Sequence, residues 1–224
     1  MVNYAVDIYH VLNRGVDKRA VVLNDGDRVR FVRCLYVFND INPPPNPSTQ
    51  KNLLHKPRPK REKLVHLHAW CLMNNHYHLL LSPVNDDTRK LSLFMKKLNM
   101  GYARFFNEKY DRSGYLWQGK FKRILIERDS HFLYIPYYIH LNPLDYSQPE
   151  WRQGKVSDHQ KTFESLKNYR WSSYQDYIGM NNFPSVISKR LLTQTLGNEQ
   201  RQTDEIKNII MTRSLAENSE SIEI

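Results

Sequence analysis

Residues 65–82 read VHLHAWCLMNNHYHLLLS, with two apolar, aromatic-rich flanks around a short polar centre. The centre, Asn74-Asn75, has turn chemistry, and flanks of this composition are typical of β-strands, so the stretch predicts a β-hairpin. Side chains alternate between the two faces of a strand. We therefore expect His76 and His78 on one face and Tyr77 on the other.

The length of the turn decides where a second pair of histidines lies. A two-residue turn places Cys71 opposite His78 and leaves His66 and His68 on the reverse face, so that the four imidazoles could not share one metal. A three-residue turn reverses this conclusion, and the sequence alone leaves the turn length open.

The segments around the hairpin alternate between strand and helix patterns. We predict strands at 8–13 and 116–127, helices after the cap cluster 24–27, from the cap 86–88 to about 110 and at about 129–142, and a short helix at 171–178. This order favours an α+β fold with a mainly antiparallel sheet and helices packed on one face.

The domain prediction follows changes in composition. Residues 1–178 form the main domain, interrupted by a basic, proline-rich insertion at about 42–64 that is either a solvated loop or a clamp on phosphates. Residues 179–224 form an extension. Its last part, 198–224, carries six acidic against three basic residues, so we expect no phosphate contact there.

Charge and composition narrow the class of protein. The 224 residues include 33 Lys and Arg against 23 Asp and Glu, a net charge of +10 that favours a polyanionic partner. No apolar run reaches the roughly 18 residues that span a bilayer, and 1–10 lacks a signal-peptide pattern, so we expect a soluble intracellular protein without a membrane partner. Cys34 and Cys71 lie in apolar patterns typical of buried, reduced thiols.

Three groups of residues could carry chemistry, and each has a structural alternative. The pair His76 and His78 could chelate a cation, although most such pairs are surface or structural histidines. Tyr138 and Asn142 are four residues apart and would lie on one side of a helix, where they could equally be core contacts. Lys120, Lys122 and Arg123 alternate with aromatic residues, a pattern that favours single-stranded nucleic acid over rings buried in a core.

Five motifs together give the chain a family resemblance. These are NRG (13–15), HAWCLMNNHYHLL (68–80), GYLWQGKFK (114–122), YIHLNP (138–143) and WSSY (171–174). In this order they resemble the single-tyrosine HUH transposases, and within them the REP-associated tyrosine transposases. The resemblance covers about residues 4–178 and implies a ferredoxin-like or RRM-like nuclease core.

The resemblance also implies roles for individual residues. It makes Tyr138 the nucleophile, and His76, His78 and Asn142 the ligands of Mg²⁺ or Mn²⁺. It implies cleavage and rejoining of single-stranded or hairpin DNA through a 5′-phosphotyrosine link, by a monomer or homodimer in the cytoplasm, associated with the bacterial nucleoid. The DNA-binding residues that we predict are Arg14, Lys96, Lys97, Arg104, Trp117, Lys120, Lys122 and Arg123.

Three positions depart from the family pattern. Asn74 stands where proline is usual, and Tyr77 stands where an aliphatic residue is usual. Pro136 falls two residues before Tyr138, so it either bends the helix or marks its first turn. A bent helix could mis-aim the phenol, which keeps open an alternative function as a catalytically silent DNA-binding or RNA-binding regulatory module.

Overall fold

The computed structural model describes residues 6–43, 61–153 and 155–212 of the chain. In this part, four strands form an antiparallel sheet in the order β2-β3-β1-β4: β1 (Tyr9–Arg14), β2 (Val65–Leu72), β3 (His76–Pro83) and β4 (Lys122–Leu125). The helices are α1 (Asp25–Val37), α2 (Thr88–Lys109), α3 (Asp129–Leu141), α4 (His159–Asn168), α5 (Tyr174–Tyr177), α6 (Arg190–Leu196) and α7 (Glu199–Thr212). The predicted α+β class with an antiparallel sheet is confirmed.

The hairpin of β2 and β3 has the two-residue turn. The Met73 backbone N–H donates to the His76 carbonyl at 2.8 Å, which leaves only Asn74 and Asn75 in the turn. Cys71 then lies opposite His78, as expected for this turn length. The hairpin register therefore fixes which side chains of β3 face each side of the sheet.

The prediction that His66 and His68 lie on the reverse face is wrong. A β-bulge between Leu67 and Ala69 shifts the register, so that His66 pairs with Ser82 and faces the same side as His78. His68 Nε2 also lies 2.9 Å from Ser82 Oγ. Ser82 is four residues beyond His78, or about 13 Å along the strand, so these histidines still belong to a different place on the sheet.

The sheet is covered on both sides. On the side that we call the α1/α2 face, Tyr77 is fully buried and its ring lies 5.2 Å from that of Phe31 in α1. The sequence predicts helices on one face only, whereas the structure has helices on both. α3 covers the opposite side, called here the histidine face, which carries His10, His76 and His78. A strand that is buried on both sides needs apolar residues throughout, which explains the almost continuous burial of β2 and β3.

Several predicted boundaries shift in the structure. The strand expected at 116–127 is limited to β4 and an isolated bridge from Trp117 to Gly15, and the short helix at 171–178 shrinks to α5. α3 begins at Asp129 and continues through Pro136, so the alternative in which Pro136 opens the helix is wrong. Cys34 and Cys71 are buried, free thiols, as predicted.

Residues 179–212 pack against the main domain. The Ser188 N–H donates to the Leu67 carbonyl at 2.7 Å, and Ile206 of α7 is fully buried. Most of the basic insertion (44–60) and the end of the acidic segment (213–224) lie outside the described residues. None of the helices in the described ranges is long and apolar enough to cross a membrane.

Gly101 on α2 gives a test of the packing between the helices. A Cβ atom at this position would overlap the ring of Phe38. We expect Gly101→Ala to lower the free energy of unfolding by about 1–3 kcal/mol through overpacking, even though alanine favours a helix by about 1 kcal/mol. Urea unfolding measures the change. Met100→Ala, at an exposed position on the same helix, is the control and should be nearly neutral. A Gly101→Ala variant as stable as the wild type would contradict this packing.

Candidate active site

The histidine face brings together residues from three distant parts of the chain. β1 pairs with β3 so that Leu12 lies opposite His78 and Arg14 opposite His76. α3 packs over this region, and the ring centroid of Tyr138 lies 5.7 Å from that of His78 and 6.2 Å from that of His10. The predicted nucleophile and the predicted histidine pair are therefore neighbours in space.

The adjacent tyrosines of α3 point in different directions. Tyr138 faces the histidines and is 2% exposed. Tyr137 instead lines a cavity of about 370 Å³ with residues of α6 and α7, including Arg201 and Glu205. Burial, reinforced by Glu205, raises the pKa of Tyr137 to about 12. Of the two phenols, only that of Tyr138 borders the histidine pair.

The histidines of the site are held in the neutral form. Burial lowers the pKa of His76 to about 4, and the charge of Arg14 adds to this effect. Burial, with the neighbouring His10, also lowers the pKa of His78 far below its usual value. A neutral imidazole keeps a lone pair on one ring nitrogen, which is the form that binds a metal ion.

The hydrogen bonds of these rings fit a two-nitrogen metal site. His76 Nδ1 lies 2.6 Å from Asn75 Oδ1, and His78 Nδ1 lies 2.9 Å from His10 Nε2. Both Nδ1 atoms are thus engaged within the sheet, and Nε2 is the nitrogen that each ring has left for a cation. The described residues contain no cluster of three or more His, Cys, Asp or Glu side chains suited to a metal ion.

Asn142, the predicted third ligand, has partners on both ends of its amide. Its Nδ2 donates to the Tyr138 carbonyl at 2.8 Å, and its Oδ1 accepts from Arg152 Nη2 at 3.1 Å. The side chain is fully buried. Asn142 therefore lies beside Tyr138, the predicted nucleophile, as its spacing predicts, but its oxygen contacts a guanidinium in this structure.

Two residues near Tyr138 were missed by the sequence reasoning. The Arg152 guanidinium lies 5.6 Å from the centroid of the Tyr138 ring and forms an ion pair with Asp145. Burial alone would lower the pKa of Arg152, but Asp145 and Tyr138 outweigh it and raise the pKa. Arg152 lies in a polar stretch of the sequence and Asp145 lies just before it. That stretch contains no motif, so no signal in the sequence points to either residue.

His10 was also missed, although it has a signal. It lies in the first predicted strand at a position that alternation places on the same face as Leu12, the partner of His78. What the sequence does not give is the strand order, because nothing local shows that β1 pairs with β3.

Part of the predicted DNA-binding set lines the histidine face. Arg14, Lys120 and Lys122 surround a cavity of about 410 Å³, together with Lys18, which was not predicted. Lys122 pairs with Leu12, which is itself opposite His78, so this cavity adjoins the histidines. Its lining in the described structure carries four cationic side chains and no acidic one.

The other predicted DNA contacts lie elsewhere. Trp117 is a core residue whose Nε1 donates to the Asn99 carbonyl at 3.0 Å, and Lys97 Nζ donates to the Asp40 and Ile41 carbonyls at 2.9 and 3.1 Å. Lys96 and Arg104 are exposed on α2, behind the α1/α2 face, and Arg104 pairs with Glu108. Arg123 follows Lys122 in β4 and points to the reverse side, 5.9 Å from the Tyr9 ring. The aromatic side chain of Tyr115, close in sequence to Lys120, is 88% exposed.

Comparison with known proteins adds a family to this geometry. Residues 52–142 match the model of the family described as IS200-like transposases. The matched segment contains the hairpin with His76 and His78 and continues through Tyr138 to Asn142. Over these residues the chain is similar to the IS200-like transposases.

Among solved structures, the chain is similar to one described as the REP-associated tyrosine transposase bound to a REP hairpin. The two share 13% sequence identity with a TM-score of 0.43, and the match covers 84% of this chain and 92% of that one. None of the curated proteins compared with the sequence matches it.

The neutral buried histidines predict a loss of stability in acid. Burial lowers the pKa of His140 and His10 to about 3 and that of His68 to about 4. The unfolded chain protonates these groups near pH 6.5. Between that pH and the folded pKa values the unfolded state binds more protons, so stability falls as the pH is lowered, by up to about 1.4 kcal/mol per pH unit and histidine.

Urea unfolding between pH 7 and 5 measures this effect. His140→Gln can still hydrogen-bond Ser173. In this variant the free energy of unfolding should fall less steeply with decreasing pH than in the wild type, by the contribution of about one proton. Equal slopes for the two proteins would show that His140 titrates normally in the folded state.

Proposed function

We propose that this protein is a transposase that cleaves and rejoins single-stranded or hairpin DNA, with Tyr138 as its nucleophile. The observation that carries the proposal is the approach of the Tyr138 ring to within 5.7 Å of His78, although the two are sixty residues apart in the sequence. The family match supports transposition as the process. Hairpin DNA and the REP-associated branch rest on the resemblance of the five motifs.

The chemistry assigned to Tyr138 is a transesterification. Its phenolic oxygen attacks the scissile phosphorus, a 5′-phosphotyrosine bond forms, and the bond from phosphorus to the 3′-oxygen breaks. The phenolic proton is lost to solvent, and the departing 3′-oxygen takes up a proton as a free hydroxyl. A second 3′-hydroxyl reverses these steps and joins the strands. One phosphoester bond is exchanged for another, so no nucleotide is consumed.

His76 and His78 would hold a divalent cation through their Nε2 atoms, with Asn142 Oδ1 as the third ligand. When bound, Mg²⁺ or Mn²⁺ supplies Lewis-acid stabilisation of the charge that develops on the phosphate. In this arrangement Arg152 either shares Asn142 Oδ1 with the cation or gives up its hydrogen bond to that oxygen. Its guanidinium also lies close to the Tyr138 phenol, where a fixed positive charge favours the phenolate over the phenol.

The DNA backbone would follow the cationic cavity beside the histidines. Arg14, Lys18, Lys120 and Lys122 neutralise phosphates there, a contribution to affinity rather than to sequence choice. The exposed ring of Tyr115 is available for stacking on an unpaired base. The other predicted DNA contacts do not touch the DNA in this proposal, since they lie in the core or beyond the opposite face. These are Lys96, Lys97, Arg104, Trp117 and Arg123.

A catalytically silent nucleic-acid-binding module is the second candidate. Two observations favour it: the Tyr138 ring is almost completely buried, and Asn142 Oδ1 is bonded to Arg152. In such a module the cationic cavity would bind DNA or RNA, and α3 would serve only to cover the sheet.

Formation of a covalent adduct separates the two candidates. We expect the wild type, incubated with a palindrome-bearing single-stranded DNA and Mg²⁺ or Mn²⁺, to give a denaturation-resistant protein–DNA adduct. Tyr138→Phe should reduce the adduct below detection because it removes the attacking oxygen. Tyr137→Phe is the matched control and should retain it, since that ring faces α6 and α7. DNA binding without any adduct in the wild type would favour the silent module.

Neighbouring cations on β4 test the path of the DNA. Lys122 faces the histidines and Arg123 faces away, so the pair offers equal charge on opposite sides of the sheet. We expect Lys122→Gln to weaken single-stranded DNA binding and to reduce the slope of log affinity against log salt by about 0.7. Arg123→Gln should change the affinity by no more than about twofold and should leave the salt slope unchanged. Equal losses in the two variants would contradict the path along the histidine face.

A further inference from the structure

The two histidines of the proposed metal site differ in what holds their Nδ1 atoms. For His76 the partner is an amide whose orientation is fixed, because Asn75 Nδ2 donates to the Lys18 carbonyl at 3.1 Å. Asn75 Oδ1 therefore faces the ring at 2.6 Å. An amide oxygen only accepts, so His76 Nδ1 carries the proton and Nε2 carries the lone pair.

For His78 the partner is a second imidazole. His10 Nε2 lies 2.9 Å from His78 Nδ1, and the two rings stack with centroids 5.1 Å apart. The contact follows from the pairing of β1 with β3, which sets Leu12 opposite His78 and brings His10, two residues earlier on the same face, alongside. His10 is fully buried.

A single proton occupies the bond between these neutral rings, and it can lie on either side. If His78 Nδ1 donates to His10, His78 Nε2 keeps its lone pair and can bind a cation. If His10 donates instead, His78 Nε2 carries a proton and cannot. The cation and the first arrangement thus require each other.

The burial of His10 has a cost that packing alone does not explain. Its Nδ1 is buried without a hydrogen-bond partner among the described residues. An unsatisfied buried polar atom destabilises a fold by about 1–3 kcal/mol, whereas an aliphatic side chain would fill the position without that loss. His10 also cannot act as a third ligand through Nε2, because this atom faces His78.

We propose that His10 is a positioning residue of the metal site: it accepts the Nδ1 proton of His78, as Asn75 accepts that of His76, so that both Nε2 atoms present lone pairs to one divalent cation. The inference rests on the proposed metal-assisted function. In a metal-binding histidine, the ring nitrogen that does not contact the metal commonly donates its proton to a second residue. Loss of that residue weakens metal binding by about 10- to 100-fold.

Titration of the full-length protein with Mn²⁺, followed by the electron paramagnetic resonance signal of free Mn²⁺, tests the inference without DNA. His10→Leu removes the acceptor, and we expect its affinity for Mn²⁺ to fall by about 10- to 100-fold. His10→Gln places an amide oxygen near the position of the lost nitrogen and should restore affinity to within about fivefold of the wild type. The matched control is His68→Leu, a buried histidine on the same face bonded to Ser82, which should bind Mn²⁺ as the wild type does.

Circular dichroism and thermal unfolding show whether each variant is folded. Nitrogen-15 spectra of the wild-type histidine rings give a second measurement that does not depend on any variant. With saturating Mg²⁺ we expect His78 to carry its proton on Nδ1 only. A proton on His78 Nε2 under these conditions would overturn the inference even if His10→Leu does not fold.

The outcomes separate this inference from the proposed function. Equal Mn²⁺ affinity in folded His10→Leu and the wild type would overturn the role of His10 and leave the transposase proposal intact. A wild type that forms the covalent adduct but binds no Mn²⁺ would overturn both the metal site and the role of His10. A wild type that gives neither adduct nor Mn²⁺ binding would overturn the proposed function together with this inference.

Discussion

The alternation of side chains along β3 is the constraint on which the rest of the structure depends. Because Tyr77 is fully buried against α1, its neighbours His76 and His78 must face the other way. A register slip of one residue would turn both histidines toward α1 and Tyr77 toward α3. The two-residue turn opposes the slip near the histidines, whereas a bulge at His68 changes the pairing at the far end of the same hairpin.

The sequence predicts local features well and long-range ones poorly. The hairpin, the caps of α1 and α2 and the position of α3 follow from turn residues, capping residues and apolar spacing, all of which act over a few residues. Strand order does not act locally, so the contact of His10 with His78 could not be derived. Arg152 reaches Tyr138 from a polar segment that carries no pattern at all.

Charged residues that are close together in the sequence need not be close together in space. Lys122 and Arg123 are consecutive, yet the period of a strand sends them to opposite faces. Lys96 and Arg104 share the same basic stretch but lie on α2, on the far side of the sheet from the histidines. The cationic cavity instead combines Arg14 and Lys18 with residues a hundred positions later. Net charge indicates the kind of partner, whereas topology decides which cations can contact it together.

Pro136 and Asn142 have opposite effects on the helix that carries Tyr138. Proline cannot donate to the carbonyl four residues earlier, which weakens the middle of α3. Phe132, Ile135 and Ile139 are fully buried, and this packing keeps the helix in place against the sheet. At the other end, Asn142 Nδ2 donates to the Tyr138 carbonyl and so satisfies an acceptor that the last turn of a helix leaves without a backbone partner. The same amide that would offer its oxygen to a cation thus holds the backbone of Tyr138, so one side chain links the backbone of the proposed nucleophile to the position of the proposed third ligand.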